Sequence, residues 1–212
     1  MKDTEVCKVY IAHLHSTKEK YTAKTFSKNL IVSNPDLIEK VRNEVEVYRE
    51  YHHEHIAKLY EVFEDHLAVT LVFEYVEGPS IEKIYRVPLK YRTRDLTSFL
   101  LYIIEAIDFL HGNNIVHRDI YPSNVILRSS GRIGEINPPI LVGLSNFAKL
   151  DQKDNTNKPV VGRFGYIAPE LLQDNIHKTT IDLYKVDIFA VGLLLYCLIT
   201  NEEPYKNESH RS

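Results

Sequence analysis

His117-Arg118-Asp119-Ile120-Tyr121-Pro122-Ser123-Asn124 is the stretch on which the fold turns. It follows an apolar helical run and the β-branched pair Ile115-Val116, so it reads as a loop leaving a short strand. It carries a carboxylate, Asp119, and five residues later an amide, Asn124. A His-Arg-Asp tripeptide alone is common, and a loop histidine beside an ion pair explains it equally well. Its surroundings decide the matter.

Upstream, Leu96, Phe99, Leu100, Ile103, Ile104, Ile107 and Leu110 keep one apolar helical face, which His111-Gly112 is expected to end. Before that helix the chain is richer in strands. Val6 to Ala12 and Tyr21 to Phe26 read as strands joined by the polar stretch His13 to Lys20. Apolar spacing from Asp36 to Tyr51 predicts a helix, with Asn34 as cap and Pro35 in its first turn. Ile56 to Val62 and Leu67 to Tyr75 return to strand character, and Glu77-Gly78-Pro79-Ser80 is a turn cluster. Downstream of the loop, Val125 to Leu127 and Ile140 to Val142 read as short strands, and the chain turns helical twice after Gly165. A small β-rich module (1–77) followed by a larger helical one (78–212) is the predicted organisation, an α+β class.

Composition sets outer limits. With 212 residues, 44% of them hydrophobic, the chain can bury a substantial core. A net charge of −3 gives no basic field for nucleic acid or an anionic membrane. Cys7 and Cys197 are too few and too far apart for a disulfide framework or a zinc site. Met1 to Glu5 is polar and no apolar stretch follows it, so an intracellular protein, cytoplasmic or nuclear, is expected. The apolar run Ile188 to Ile199 is short of the roughly 20 residues a spanning helix needs and is expected to be a core helix.

Further motifs fall in order around the loop. Tyr166-Ile167-Ala168-Pro169-Glu170 resembles the end of a protein kinase activation segment, and Val186-Asp187-Ile188-Phe189-Ala190-Val191-Gly192 resembles the helix that anchors the kinase core. The opening loop then resembles the kinase catalytic loop. Tyr21-Thr22-Ala23-Lys24 resembles the strand bearing the phosphate-binding lysine, Asn43-Glu44-Val45-Glu46 the helix bearing its acidic partner, and Leu71-Val72-Phe73-Glu74-Tyr75 the gatekeeper and hinge. The resemblance runs from about Val6 to Tyr205 and is closest to the serine/threonine class. It implies a bilobal protein kinase-like fold ending soon after the core helix of the second lobe. It also implies ATP and magnesium as cofactors, with Asp119 as base, Lys24, Glu44, Glu74 and Asn124 around the nucleotide, and Asn124 as a metal ligand. By the same resemblance, Arg118 would pair with a phosphate on Thr156, a hydroxyl in the polar stretch Asp151 to Lys158. A hydrophobic spine carried over in this way comprises Tyr48, Leu59, Val142 and His117, with Asp187 at its base.

Four parts depart from the pattern. The first glycine is Gly78, so no glycine-rich phosphate loop can be read, and that loop is either cut short or replaced by Met1 to Glu5. Leu141 falls where the magnesium-binding aspartate should be, although a register anchored on Phe147-Ala148-Lys149 puts Leu144 or Ser145 there instead. Tyr121 replaces the lysine that steadies the transferring phosphoryl group, a contact of a kind worth roughly 2.7–4 kcal/mol. Arg163 replaces a threonine and is expected to disturb the segment's contact with Asp119. These losses make ATP and magnesium binding doubtful and point to a regulatory or scaffolding pseudokinase with a protein partner, an active kinase being the candidate. The competing expectation is a divergent ATP-dependent serine/threonine kinase in which Glu135 supplies the missing carboxylate.

Overall fold

A computed structural model describes residues 2–3, 7–87, 91–128, 138–150, 160–172 and 182–205. The chain divides into two compact units, Met1–Val76 and Glu77–Ser212, one residue before the boundary read from the sequence. Val6, Glu135 and Thr156 lie outside the described residues.

The first unit is built on a five-stranded antiparallel sheet in the order β1-β2-β3-β5-β4, from β1 (Lys2–Asp3), β2 (Lys8–His13), β3 (Lys20–Ser27), β4 (Leu59–Glu64) and β5 (Ala68–Glu74). Ala23 and Phe26 of β3 are buried, 1% and 3% exposed, and, three residues apart, they fall on opposite faces of the strand. Helix α1 (Lys28–Ser33) was not expected, since Leu30-Ile31-Val32 reads as strand by propensity. Helix α2 (Pro35–Glu50) begins as predicted, with Asn34 Oδ1 accepting from the Leu37 N–H and Pro35 in the first turn. Its buried stripe, Leu37, Val41, Glu44, Val47 and Tyr48, follows helical spacing. Tyr48 packs edge-on against Phe73 of β5, ring centroids 4.9 Å apart.

β1 pairs with β2 through Lys2↔Val9 and Asp3↔Lys8. The chain joining these strands, Thr4-Glu5-Val6-Cys7, contains no glycine. A two-residue strand is thus paired ahead of β2, within the stretch Met1 to Glu5.

The second unit holds α3 (Ile81–Tyr85), α4 (Thr93–Gly112) and α5 (Leu183–Thr200), with two-stranded ribbons between them. β6 (Ile115–Val116) pairs with β9 (Ala148–Lys149), and β7 (Val125–Leu127) pairs with β8 (Pro139–Leu141). Helix α4 ends at Gly112, as read from the sequence, with Asn113 as its cap, whose N–H bonds to the Leu110 and His111 carbonyls. The first of the two expected downstream helices is a 3-10 turn at Pro169–Leu172. Helix α5 spans 18 residues with mean hydropathy 1.8, longer than the apolar run read from the sequence and long and apolar enough to cross a membrane by length and composition. Its Val186, Asp187, Ala190, Leu194 and Cys197 are buried within the unit, as in a core helix. Val116, Ala168, Leu171, Leu183 and Val186 form one cluster, so the loop after β6 and the segment before α5 share a core.

Candidate functional site

The residues singled out from the sequence fall into two groups, one in each unit. In the first, Lys24 sits on β3 opposite Val9 and Leu71, and Glu44 sits on the buried stripe of α2. Lys24 Nζ donates to both Glu44 carboxylate oxygens, at 2.7 and 2.8 Å. The Lys24 ammonium also lies 5.1 Å from the Phe26 ring centroid. Glu44 is only 2% exposed, and a carboxylate so buried requires such a partner. Glu74 is the last residue of β5, and its N–H donates to the Lys58 carbonyl at 2.8 Å.

In the second unit the catalytic-type loop is held chiefly through its backbone. Asp187 of α5 is fully buried and accepts from the His117 and Arg118 N–H groups, each at 2.8 Å, while His111 Nε2 lies 2.9 Å from the same carboxylate. Arg118 has φ 60, a left-handed conformation costly for a side chain with Cβ, and its bond to Asp187 fixes it. The Arg118 guanidinium donates from Nε to the Asn146 carbonyl at 2.8 Å and from Nη2 to the Phe147 carbonyl at 3.2 Å. Burial pushes its pKa below the ordinary value, and Asp187 pulls it back up.

Asp119 and Asn124 are brought together. The Asn124 amide donates to the Asp119 carbonyl at 2.9 Å and to its carboxylate at 3.2 Å. Directly across, the Val142 N–H donates to the Asn124 carbonyl at 2.9 Å, and Leu141 pairs with Val125. Leu141 therefore faces Val125, Val142 is the residue bonded to Asn124, and Leu144 and Ser145 belong to a later 3-10 turn; in either register read from the sequence, Leu141 or Leu144 or Ser145, the aspartate's place carries no carboxylate. Gly143 enters that turn at φ 83, and a Cβ there would lie 2.9 Å from Asn124 Nδ2.

Leu141 is fully buried and offers no oxygen. Magnesium requires hard oxygen ligands in near-octahedral order, and neither Leu141 nor Leu144 supplies a side-chain oxygen. The residues present beside Asn124 therefore do not fit a magnesium ion held in the family's manner.

Tyr121 and Arg163, both noted in the sequence as departures, turn out to be neighbours. The Arg163 guanidinium carbon lies 5.2 Å from the Tyr121 ring centroid. Burial, and then the nearby Asp119 carboxylate, raise the Tyr121 phenol above its ordinary value, while Arg163 lowers it, so the phenol is neutral at pH 7. Sequence reasoning gave each residue as a separate loss and missed their contact, because nothing in either local sequence signals the other.

A β-rich unit carrying a buried lysine–carboxylate pair, and a helical unit carrying an Asp–Asn loop pinned to a buried helix aspartate, define a protein of the kinase-like α+β class. The protein kinase domain family profile matches residues 4–212, and the chain belongs to that family. It is 28% identical over 209 residues to the Aurora kinase of Saccharomyces cerevisiae, covering 95% of this chain and 51% of that protein. It is 30% identical over 200 residues to human calcium/calmodulin-dependent protein kinase type IV, covering 92% and 39%. With the serine/threonine-protein kinase plk-1 of Caenorhabditis elegans it shares 29% over 196 residues, covering 92% and 28%. The chain spans about half or less of the length of these relatives.

Proposed function

We propose that this chain is a pseudokinase of the serine/threonine type, which keeps the kinase frame as a regulatory or scaffolding element and transfers no phosphate. One observation supports the reading: the stretch where the family's metal-binding carboxylate is expected, Leu141 to Ser145, carries no carboxylate, and its Leu141 and Leu144 side chains are buried. A phosphoryl group carries its charge on oxygens that must be stabilised electrostatically, and here both the metal carboxylate and the catalytic-loop lysine are replaced by uncharged side chains. Effects on separate contacts multiply when independent, so the two losses together put turnover far below that of a kinase. On this reading the partner is a protein, with an active kinase as the candidate, inside the cell, and neither nucleic acid nor membrane is engaged.

A divergent ATP-dependent kinase is the second reading. The Lys24–Glu44 pair and the Asp119–Asn124 contact favour it, since those groups would position phosphates and a substrate hydroxyl.

Thermal shift with ATP, with and without magnesium, separates the two when combined with a phosphotransfer assay on protein substrates and with Lys24→Ala as control. The pseudokinase reading expects no magnesium-dependent rise in midpoint and no transfer above background. A magnesium-dependent rise that Lys24→Ala abolishes, accompanied by transfer that Asp119→Asn abolishes, would establish the enzyme.

A further inference from the structure

The two departures that meet, Tyr121 and Arg163, exchange charge. Where the family has a cation on the loop and a neutral side chain on the segment, this chain has a neutral phenol on the loop and a cation on the segment. The backbone delivers that cation to the loop. Gly162, at φ 114, lies so close to the Arg118 carbonyl that a Cβ would sit 2.9 Å from it, and this approach brings the next residue, Arg163, over Tyr121. Asp119 and Arg163 line the same small cavity, together with Arg118, Gly162, Tyr166 and Asp187. The positive charge therefore sits on the segment beside Tyr121 instead of on the loop at Tyr121 itself.

Arginine suits such a post. Its guanidinium stays charged, carries five N–H donors in a fixed fork that matches phosphate, and keeps these properties while lying against an aromatic ring. Arg163 is exposed, so an anion reaches it without unfolding the segment.

We infer that Arg163 is the phosphate-binding cation of this loop, standing in for the lysine that Tyr121 replaces, and that it holds a phosphate monoester without a metal ion. The inference rests on the pseudokinase reading only for the metal's dispensability. The ligand chemistry is shared by the terminal phosphate of a nucleotide and by a phosphorylated side chain.

The test is a titration of the full chain with inorganic phosphate in EDTA, read on the arginine Nε–Hε resonances by NMR. One resonance, lost in Arg163→Gln, should shift saturably, and phosphate affinity should fall ~10-fold in that variant. Arg163→Lys should retain most of the affinity, and the double variant Tyr121→Lys/Arg163→Thr, which returns the cation to the loop, should recover it. Equal affinity in wild type and Arg163→Gln would mean an adventitious ion only, and failure of the double variant to recover binding would overturn the exchange. Parallel titrations with ATP and with a phosphoserine peptide, again in EDTA, identify the source as whichever binds more tightly than inorganic phosphate. Phosphotransfer measured with magnesium would overturn the pseudokinase reading and leave the Arg163 titration standing, so the two failures are distinguishable.

Discussion

Lys24 Nζ bridges both carboxylate oxygens of Glu44, joining strand β3 to helix α2 at a point where the carboxylate is almost out of reach of water. Removing one member leaves the other's charge buried, whereas removing both leaves an apolar seam. Lys24→Ala is expected to cost about 3 kcal/mol, and Lys24→Met/Glu44→Leu distinctly less. Urea denaturation measures both, and a Lys24→Ala midpoint equal to wild type would contradict the account.

Asp187 accepts two backbone N–H groups of the catalytic-type loop, and one of them belongs to a residue with left-handed φ. Asp187→Ala leaves those donors unsatisfied and frees Arg118 to relax, at an expected cost of about 3 kcal/mol. Amide exchange at His117 and Arg118 should accelerate by more than the global loss of stability requires. Unchanged local protection would show that the loop is held by other contacts.

Gly143→Ala adds a Cβ within 2.9 Å of Asn124 Nδ2, at a φ that disfavours any side chain. The strain alone is worth about 1–2 kcal/mol. Asn124 must also yield, so its hydrogen bonds to Asp119 should weaken, visible as a shift of the Asn124 side-chain amide resonances. A neutral Gly143→Ala variant would argue against this packing.

How much of this was legible beforehand depended on the range of the signal. Helix α2 declared itself through Asn34, Pro35 and a regular apolar stripe, all local features. Helices α1 and α3, at six and five residues, are too short for periodicity to register, and α1 carries β-branched residues that argue for strand. The end of α4 at His111-Gly112 was equally local and is where the helix stops, capped by Asn113. Lys24, Glu44, Asp119 and Asn124 were found by resemblance to family motifs, since their spacing alone proves nothing. The contact of Arg163 with Tyr121 stayed hidden, because it depends on how closely Gly162 approaches the loop backbone.

Two buried phenols set an alkaline limit on stability. Burial first, then a hydrogen bond to Glu203, raises Tyr85, while burial and then Cys197 raise Tyr166, both from an ordinary 10.0. The folded chain keeps these protons where the unfolded chain loses them. Their contribution is thus fully present below about pH 10 and declines as pH rises beyond it. Urea midpoints between about pH 8 and about pH 11 should fall less steeply for Tyr166→Phe than for wild type. Parallel slopes would mean that Tyr166 ionises as freely in the fold as in the unfolded chain.

Leu141→Asp, the simplest attempt to restore the metal carboxylate, puts a charge at a fully buried strand position opposite Val125. It should lower stability by about 3 kcal/mol in EDTA, with phosphotransfer still at background while Tyr121 is unchanged. Turnover appearing in this single variant would show that one carboxylate was all the site lacked.

The bend of the loop is tied to a helix aspartate by main-chain amides, and main-chain amides are the same whatever side chains they carry. A mutation at Tyr121 or Leu141 therefore cannot remove those amides. Form and reactivity here have separate custodians: the backbone amides keep the bend whichever side chains the loop carries.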